Sequence, residues 1–238
     1  MPMKRWVRRG LLAGAALLGL VVVLAAAGIL YVTLKKVPVT RLETDRGQAL
    51  LRRAGGADYG PLARNWVPQL RMHCCAASAV IVMNSLQPGA GYTQNNLFVP
   101  ETAHIITQDE FYRGQCTLEK LAALIRTRSG LTARSFHAGE GPGEWDYASF
   151  RQHLKANGSA PGDYMIINYS LSYLAGLGEG GGHCSPVAAY DEQEDLVLML
   201  EVAGANNEFW IAAAGIYGAM NTIDTVSNKH RGWVTVTK

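Results

Sequence analysis

Residues 69–86, with the sequence QLRMHCCAASAVIVMNSL, are the stretch from which the fold can be argued. A polar start is followed by an apolar run without Gly or Pro, which predicts a buried helix with Cys74 and Cys75 in its first turn. A thiol there lies near the positive end of the helix dipole, which favours the thiolate, the form that attacks a carbonyl carbon. The stretch therefore indicates a candidate nucleophile. The alternative is packing, since free cysteines often serve as small core residues.

Composition and charge exclude one class of partner. The chain has 238 residues, which suits one domain of ordinary size plus an appendage, and 48% of them are hydrophobic, enough for a full core. Six of the 22 basic residues lie within the first 36 positions, and the remainder has 16 basic against 19 acidic residues. The main domain is thus mildly acidic and has no basic stripe, so we predict no nucleic-acid partner.

An uncharged run occupies residues 11–34, LLAGAALLGLVVVLAAAGILYVTL. Its 24 residues exceed the ~20 that cross a bilayer, and four basic residues before it against two after it favour a cytoplasmic N-terminus. The alternative is a signal peptide with its cleavage site at the small residues 25–27, so that loss of residues 1–27 gives a secreted form. We predict a membrane anchor through residues 11–34 and an exported main domain, periplasmic if the host is a Gram-negative bacterium.

Helical patterns come before strand patterns along the main domain. Besides the cysteine helix, helices are predicted at residues 46–53, 117–126, 147–156 and 210–220. Strands are predicted at residues 164–169, 183–191, 195–203 and 232–236, and a Gly-rich loop ends at Gly182. Helices followed by an antiparallel sheet indicate an α+β domain.

The hairpin formed by the runs 183–191 and 195–203 brings two polar residues together. If Asp191 pairs with Asp195 across a three-residue turn, His183 and Glu201 become diagonal neighbours on one face of the sheet. The carboxylate would then hold the imidazole in one tautomer and leave its other nitrogen free to face a thiol. The alternatives are a loop-end histidine and a carboxylate that bonds the backbone. A carboxylate inside an apolar strand needs a partner, which favours the pair.

Two blocks of the sequence resemble the phytochelatin synthase family. Residues 74–78 (CCAAS) and 84–86 (NSL) are similar to that family's Cys-Gly-x-Ala-Ser and Leu-Asn-x-Leu segments. Residues 181–190 (GGHCSPVAAY) and 201–203 (EVA) are similar to its Gly-His-x-Ser-Pro and Asp-Val-Ala segments. Shorter matches lie at residues 92–98, 117–121, 219–222 and 231–232. The resemblance covers residues 60–238 in the family's order.

The resemblance implies a papain-like fold, with a helical lobe carrying the cysteine and an antiparallel sheet carrying the histidine. It implies that Cys74, His183 and Glu201 form a catalytic triad in which the thiol attacks the glycyl amide of glutathione or a γ-glutamyl peptide. Glycine is released, and the γ-Glu-Cys acyl group passes to water or a second glutathione. No cofactor is required. A Cd or Zn ion, or its thiolate complex, is an expected activator or substrate component. The expected domains are a cytoplasmic stub and anchor at 1–36, a linker at 37–59 and a catalytic domain at 60–238.

The chain departs from the family pattern at three positions. Glu201 stands where the family has Asp, and Cys184 stands where an apolar residue is usual. Cys75 replaces the family's Gly, so two adjacent cysteines are candidate nucleophiles. The family's oxyanion-hole Gln precedes its nucleophile by six residues, and Gln69 does so for Cys75. The block alignment nevertheless selects Cys74, with Gln69 as the oxyanion donor after a one-residue loop deletion.

Two other functions remain open. One is a papain-like peptidase of the C39 type, which cuts after double glycine. The other is a non-catalytic thiol protein that binds a soft metal through Cys74, Cys75, Cys184 and His183, or that senses redox state through a disulfide of Cys184 with one of the adjacent pair. None of these cysteines has C-x-x-C spacing, so we predict no dedicated metal site. Cys116 is expected to pack in the core.

Overall fold

The computed structural model describes residues 36–55, 58–71, 73–159 and 162–238, with seven positions of the N-terminal run: Leu18, Leu20, Val21, Val22, Leu24, Ala25 and Gly28. Those seven are helical and exposed. Most of the predicted anchor, residues 11–34, therefore lies outside the described residues. Among the helices of the described part, none is both long and apolar enough to cross a membrane. The anchor and the cleaved form stay predictions.

The domain is built around one large sheet. Its strands are β1 (Val39–Arg41), β2 (Thr132–Ala138), β3 (Glu144–Trp145), β4 (Asp163–Ser170), β5 (Gly182–Asp191), β6 (Leu196–Met199), β7 (Phe209–Ala212) and β10 (Gly232–Thr237). The order is β1-β7-β6-β5-β4-β10-β2-β3, antiparallel except for the short β2–β3 pair. A separate ribbon joins β8 (Ile223–Asp224) to β9 (Lys229–His230). The predicted α+β class is confirmed.

Helices cover both faces of this sheet. They are α1 (Asp45–Ala54), α2 (Tyr59–Arg64), α3 (Cys74–Leu86), α4 (Gln108–Tyr112), α5 (Leu118–Ser129), α6 (Tyr147–Ser159), α7 (Leu171–Leu174) and α8 (Ala213–Met220). Buried residues of α3 and α5 form one core with Tyr164 and Ile166 of β4, whereas α6 and α8 form the other with Met165 and Ile167. Because side chains alternate along a strand, β4 is apolar on both faces and is buried between the two helical layers.

The segment at 37–59 was expected to be a linker, and the structure corrects this up to residue 54. Strand β1 pairs with β7 at the edge of the sheet, and Leu50 of α1 is buried in the α3 core. The indole of Trp210 donates to the carbonyl of Gly47 at 3.0 Å, where an added Cβ would lie 2.2 Å from the Arg41 carbonyl oxygen. Residues 37–54 therefore belong to the folded domain.

The predicted helix at 210–220 is wrong for its first three residues. Residues Phe209–Ala212 form β7, and the helix begins only at Ala213. Trp210 and Ile211 lie in the two different cores, so their alternation has the period of a strand. Strand β2 was missed altogether, because its sequence TARSFHA carries few of the apolar residues that predict a strand. The other predicted helices and strands are confirmed with shifted ends, but the strand predicted at 195–203 is confirmed only as Leu196–Met199, so Glu201 lies just beyond the end of β6.

Candidate active site

The first turn of α3 presents Cys74 next to strand β5. The helix begins at Cys74, directly after His73, and Cys74 is a free, buried cysteine. The hydroxyl of Ser78 lies within hydrogen-bonding distance of the Cys74 carbonyl at 2.8 Å and of the Cys184 carbonyl at 3.1 Å. Ser78 thus ties the first turn of the helix to the strand that carries His183. The residues that follow in this turn, Ala76 and Ala77, are small and buried.

The hairpin places His183 beside Glu201, although its turn is not the predicted one. Asp191 pairs with Leu196 rather than with Asp195, so the turn has one more residue than expected. An irregularity between Val187 and Ala189 absorbs that residue, and Val187 then pairs with Met199 in the predicted register. Without this bulge, the two strands would be offset by one residue, which reverses the faces of the sheet.

Glu201 is a buried carboxylate with a full set of donors. Its Oε1 accepts from Nε2 of His183 at 2.6 Å and from the backbone N–H groups of Val202 and Ala203 at 2.7 and 2.8 Å. Its backbone carbonyl accepts from the indole of Trp66 at 2.9 Å. Burial raises the pKa of Glu201, but the hydrogen bond from His183 and the other donors outweigh it and hold the pKa below its ordinary value. The carboxylate is therefore charged and fixed.

His183 connects that carboxylate to the thiol. Nε2 is bonded to Glu201, and the imidazole also makes a hydrogen bond with the side chain of Cys74. Burial lowers the pKa of His183, but its hydrogen bonds with Cys74 and Glu201 raise it to about 9. An imidazole held against a thiol in this way is placed to accept the proton of that thiol. The structure therefore brings Cys74, His183 and Glu201 into one chain of contacts.

Tyr169 is a member of the site that the sequence did not single out. It pairs with His183 in the β4–β5 register, and its fully buried hydroxyl donates to Oε2 of Glu201 at 3.0 Å. Its ring meets the imidazole edge-on, with ring centroids 5.5 Å apart. Burial, and then the charge of Glu201, raise the pKa of Tyr169 well above its usual range, so the hydroxyl stays protonated. Knowledge of the pairing register between β4 and β5, which places Tyr169 opposite His183, would have identified this residue.

Replacing Tyr169 by phenylalanine is expected to lower kcat of the thiol chemistry by roughly tenfold without changing KM. The charged Oε2 of Glu201 would keep only the hydroxyl of Ser185, at 3.5 Å, and a lost hydrogen bond to a charged group costs about 1.5–3 kcal/mol. Steady-state kinetics on the two variants would check this. Tyr164→Phe, on the opposite face of β4, is the matched control and should keep the wild-type rate. A raised KM with unchanged kcat would contradict the positioning role.

The adjacent cysteine is occupied elsewhere. Cys75 forms a disulfide with Cys184, whereas Cys74 and Cys116 are free. The sequence left open which of the adjacent pair Cys184 would join, and the structure pairs it with Cys75. The sulfur of Cys116 donates to the Thr117 carbonyl, and burial raises the pKa of this thiol far above its ordinary value. Of the four cysteines, the structure therefore leaves Cys74 as the free thiol in contact with the imidazole.

Gln69 lies at the edge of this arrangement. Its backbone N–H donates to the carbonyl of Val202 at 2.8 Å, which places it beside the residue that follows Glu201. Its Nε2 donates to the carbonyl of Arg71 at 3.1 Å, and its buried Oε1 has no partner among the described residues. One N–H of the carboxamide remains for another acceptor. Its part as an oxyanion donor stays a prediction.

A cavity of about 450 Å³ opens from Cys74 and Cys75 along the Gly-rich loop at 180–182. The buried guanidinium of Arg231 forms part of its wall, donating to Thr222 Oγ1 and the Ile223 carbonyl at 2.7 Å and to the Gly180 carbonyl at 3.0 Å. Its Nε has no partner among the described residues, and burial lowers its pKa. The wall thus contains a buried cation, one N–H of which has no partner in the described part of the chain.

Gly182 packs closely against this wall. An added Cβ there would lie 3.3 Å from both Arg231 Nε and Asn168 Oδ1, a second buried atom without a partner in the described part of the chain.

Metal-ligating side chains gather at one place in the described ranges: the sulfurs of Cys74, Cys75 and Cys184 lie within 4.8 Å of one another. The cavity wall and the sulfur cluster both include Cys74.

Comparisons with known proteins point in one direction. A family model described as phytochelatin synthase matches residues 32–233. Glutathione gamma-glutamylcysteinyltransferase 3 of Lotus japonicus is 30% identical over 51% of this chain and 24% of its own length. Glutathione gamma-glutamylcysteinyltransferase 1 of Triticum aestivum is 26% identical over 69% of this chain and 33% of its own. The chain therefore spans about a quarter to a third of these relatives.

One solved structure, the Pseudomonas avirulence protein AvrPphB, is similar over 74% of this chain and 97% of its own. The identity is 11% and the TM-score is 0.30, so we draw nothing about fold or function from this likeness.

Proposed function

Because this chain belongs to the phytochelatin synthase family, we propose that it is a cysteine-dependent acyltransferase or hydrolase acting on glutathione or related γ-glutamyl peptides. The observation that supports this best is the free thiol of Cys74 in contact with His183, whose other nitrogen is held by the buried Glu201. A nucleophile, a base and an orienting carboxylate in this order are the requirements of acyl transfer through a thioester.

In the proposed reaction, Cys74 gives its thiol proton to His183, and its Sγ attacks the carbonyl carbon of the cysteinyl–glycine amide. His183 donates a proton to the amide nitrogen as the carbon–nitrogen bond breaks, so that glycine leaves and γ-Glu-Cys stays bound as a thioester. Water, or the amino group of a second glutathione, then loses a proton to His183 and takes the acyl group. Sγ of Cys74 leaves and regains a proton from His183, which restores the thiol. The backbone N–H groups at the start of α3 and the carboxamide of Gln69 are the proposed oxyanion donors.

The cavity supports a substrate with charges at one end. The residues along the wall include Arg231, whose guanidinium is buried, and the acidic residues Asp224 and Glu179. A γ-glutamyl group ends in an α-carboxylate and an α-ammonium, which match one cation and nearby anions. We propose that this end binds at Arg231 and Asp224, which leaves the glycyl amide directed toward Cys74. A peptide without a free γ-glutamyl end lacks this pair of an α-carboxylate and an α-ammonium on one carbon.

The proposal extends to fold family, metal and place. We propose a papain-like arrangement, because a helix carries the thiol and an antiparallel sheet carries its histidine. The protein needs no cofactor for the acyl chemistry, and a Cd or Zn ion enters as a metal–thiolate form of the substrate or as an activator.

We propose that residues 11–34 anchor the chain in a membrane with the catalytic domain on the exported, periplasmic side, since that run is uncharged and preceded by basic residues.

Glycine release from glutathione by the purified full-length chain tests the proposed function. We expect glycine together with γ-Glu-Cys, or with a γ-Glu-Cys-extended peptide if a second glutathione is the acceptor. A double-glycine peptide of similar size serves as the alternative substrate. Cleavage of that peptide with no glycine from glutathione would replace the proposal by the peptidase alternative. Metal binding without turnover of either substrate would favour the non-catalytic thiol protein.

A further inference from the structure

The three sulfurs around the candidate nucleophile are close enough to share one metal ion. Those of Cys74, Cys75 and Cys184 all lie within 4.8 Å of one another. Metal–sulfur bonds of about 2.3 Å at tetrahedral angles put two sulfurs about 3.8 Å apart. After reduction, the sulfurs of Cys75 and Cys184 must therefore move apart from bonding distance, whereas that of Cys74 needs to move by about 1 Å at most. We propose that reduction of the Cys75–Cys184 disulfide creates a site for one soft divalent cation, and that an ion in this site, unlike one bound to the substrate thiols, withdraws Cys74 from catalysis.

Reduction supplies two of the three ligands. A thiol attacks the disulfide, forms a mixed disulfide with one cysteine and releases the other as a thiol. A second thiol then displaces the remaining cysteine. Overall, two reductant thiols become one disulfide, and Cys75 and Cys184 become thiols. The candidate substrate is itself a thiol. Cys74 and Cys75 line the cavity, so reductant and ion have the same route in. Binding a divalent ion releases the three thiol protons, and the complex has a net charge of −1.

The site keeps its shape without the disulfide, because other contacts hold its two elements together. Cys74 and Cys75 are consecutive in the first turn of α3, and Cys184 lies on β5. The hydroxyl of Ser78 sits within hydrogen-bonding distance of the carbonyls of both Cys74 and Cys184. Strand β5 is in turn held on both sides by β4 and β6. The ligands are therefore placed by the fold, which reduces the cost of ordering them when the ion binds.

The donor set selects a soft cation. Three thiolates favour Cd²⁺ or Zn²⁺ over Mg²⁺ or Ca²⁺, which need oxygen ligands. The nearby carboxylate of Glu201 is already occupied by His183 and two backbone N–H groups. The fourth position stays open to water or to a substrate thiol. Metal binding follows from the sulfur geometry alone, whereas the loss of turnover rests on the proposed function.

Titration of the full-length chain with Cd²⁺ tests the site. The protein is reduced with a dithiol, desalted without oxygen and compared with unreduced protein, while thiolate-to-cadmium absorption in the ultraviolet reports binding. We expect one tightly bound Cd²⁺ per reduced chain and none in the unreduced chain. Reduced Cys75→Ala should bind at least about 100-fold more weakly, since losing even a group behind a ligand costs 10–100-fold. Cys116→Ala removes a thiol outside the cluster and should bind as the wild type does.

Each result decides for or against the site. Equal binding by the reduced and unreduced chains, or full affinity in reduced Cys75→Ala, would overturn it, as would titration of the reduced chain without the thiolate absorption. Cys184→Ala provides a second variant if Cys75→Ala does not fold. Glycine release is followed separately. A chain that releases glycine but binds no Cd²⁺ refutes only this inference, and a chain that binds Cd²⁺ but never releases glycine refutes only the proposed function.

Discussion

Replacing Cys74 by alanine is expected to lower glycine release from glutathione by about 10⁴-fold or more, because removing the nucleophile of such a triad leaves only the rate that binding and the oxyanion donors provide. The structure makes Cys74 the free thiol in contact with His183, while the sulfur of Cys75 is bonded to Cys184. Alanine fits the small first turn of α3, so the loss should come without a loss of stability. The measurement is the initial rate of glycine release at saturating glutathione.

Two further variants separate the thiol chemistry from general damage. Cys116→Ala removes the other free cysteine and should keep the wild-type rate. Cys75→Ala tests the alternative nucleophile, which the sequence left open. Loss of glycine release in Cys75→Ala together with normal release in Cys74→Ala would move the nucleophile by one residue and refute the assignment.

Replacing Glu201 by glutamine is expected to lower kcat by about 10³- to 10⁴-fold, as removing the charge of the orienting carboxylate does in serine proteases. The amide oxygen can replace Oε1, which accepts from His183, Val202 and Ala203, and the amide nitrogen can face Tyr169 in place of Oε2. The fold is therefore retained, and the loss measures the negative charge behind the imidazole. Circular dichroism and thermal unfolding would confirm that the variant is folded.

The matched variant is Glu201→Asp, which restores the residue usual in the family and keeps the charge. Its carboxylate is one methylene shorter, so the bond to His183 must lengthen or the backbone must move. We expect a rate between those of the wild type and of Glu201→Gln. A Glu201→Gln variant with the wild-type kcat would show that the carboxylate has no part in the chemistry.

Local sequence patterns predicted the parts of this protein that depend on near neighbours. The apolar run after Cys74 predicted a buried helix, and the helix begins at that residue. A helix was predicted at 117–126, and Thr117 caps it by accepting from the N–H of Lys120 through its hydroxyl. The alternation of the two hairpin strands put His183 and Glu201 on one face, and they are bonded. Such features follow from helical and strand periods, which a few adjacent residues determine.

Only the tertiary structure decided which distant segments meet. The choice of Cys75 as the partner of Cys184, 109 residues away, depends on how α3 lies against β5. Tyr169 belongs to the site because β4 pairs with β5 in one register, and residues 39–41 form a strand because β7 offers them an edge. These pairings join residues far apart in the chain, and their energy comes from the packed whole rather than from local preference. The sequence therefore determined the candidate chemistry, and the packing of the sheet determined its surroundings.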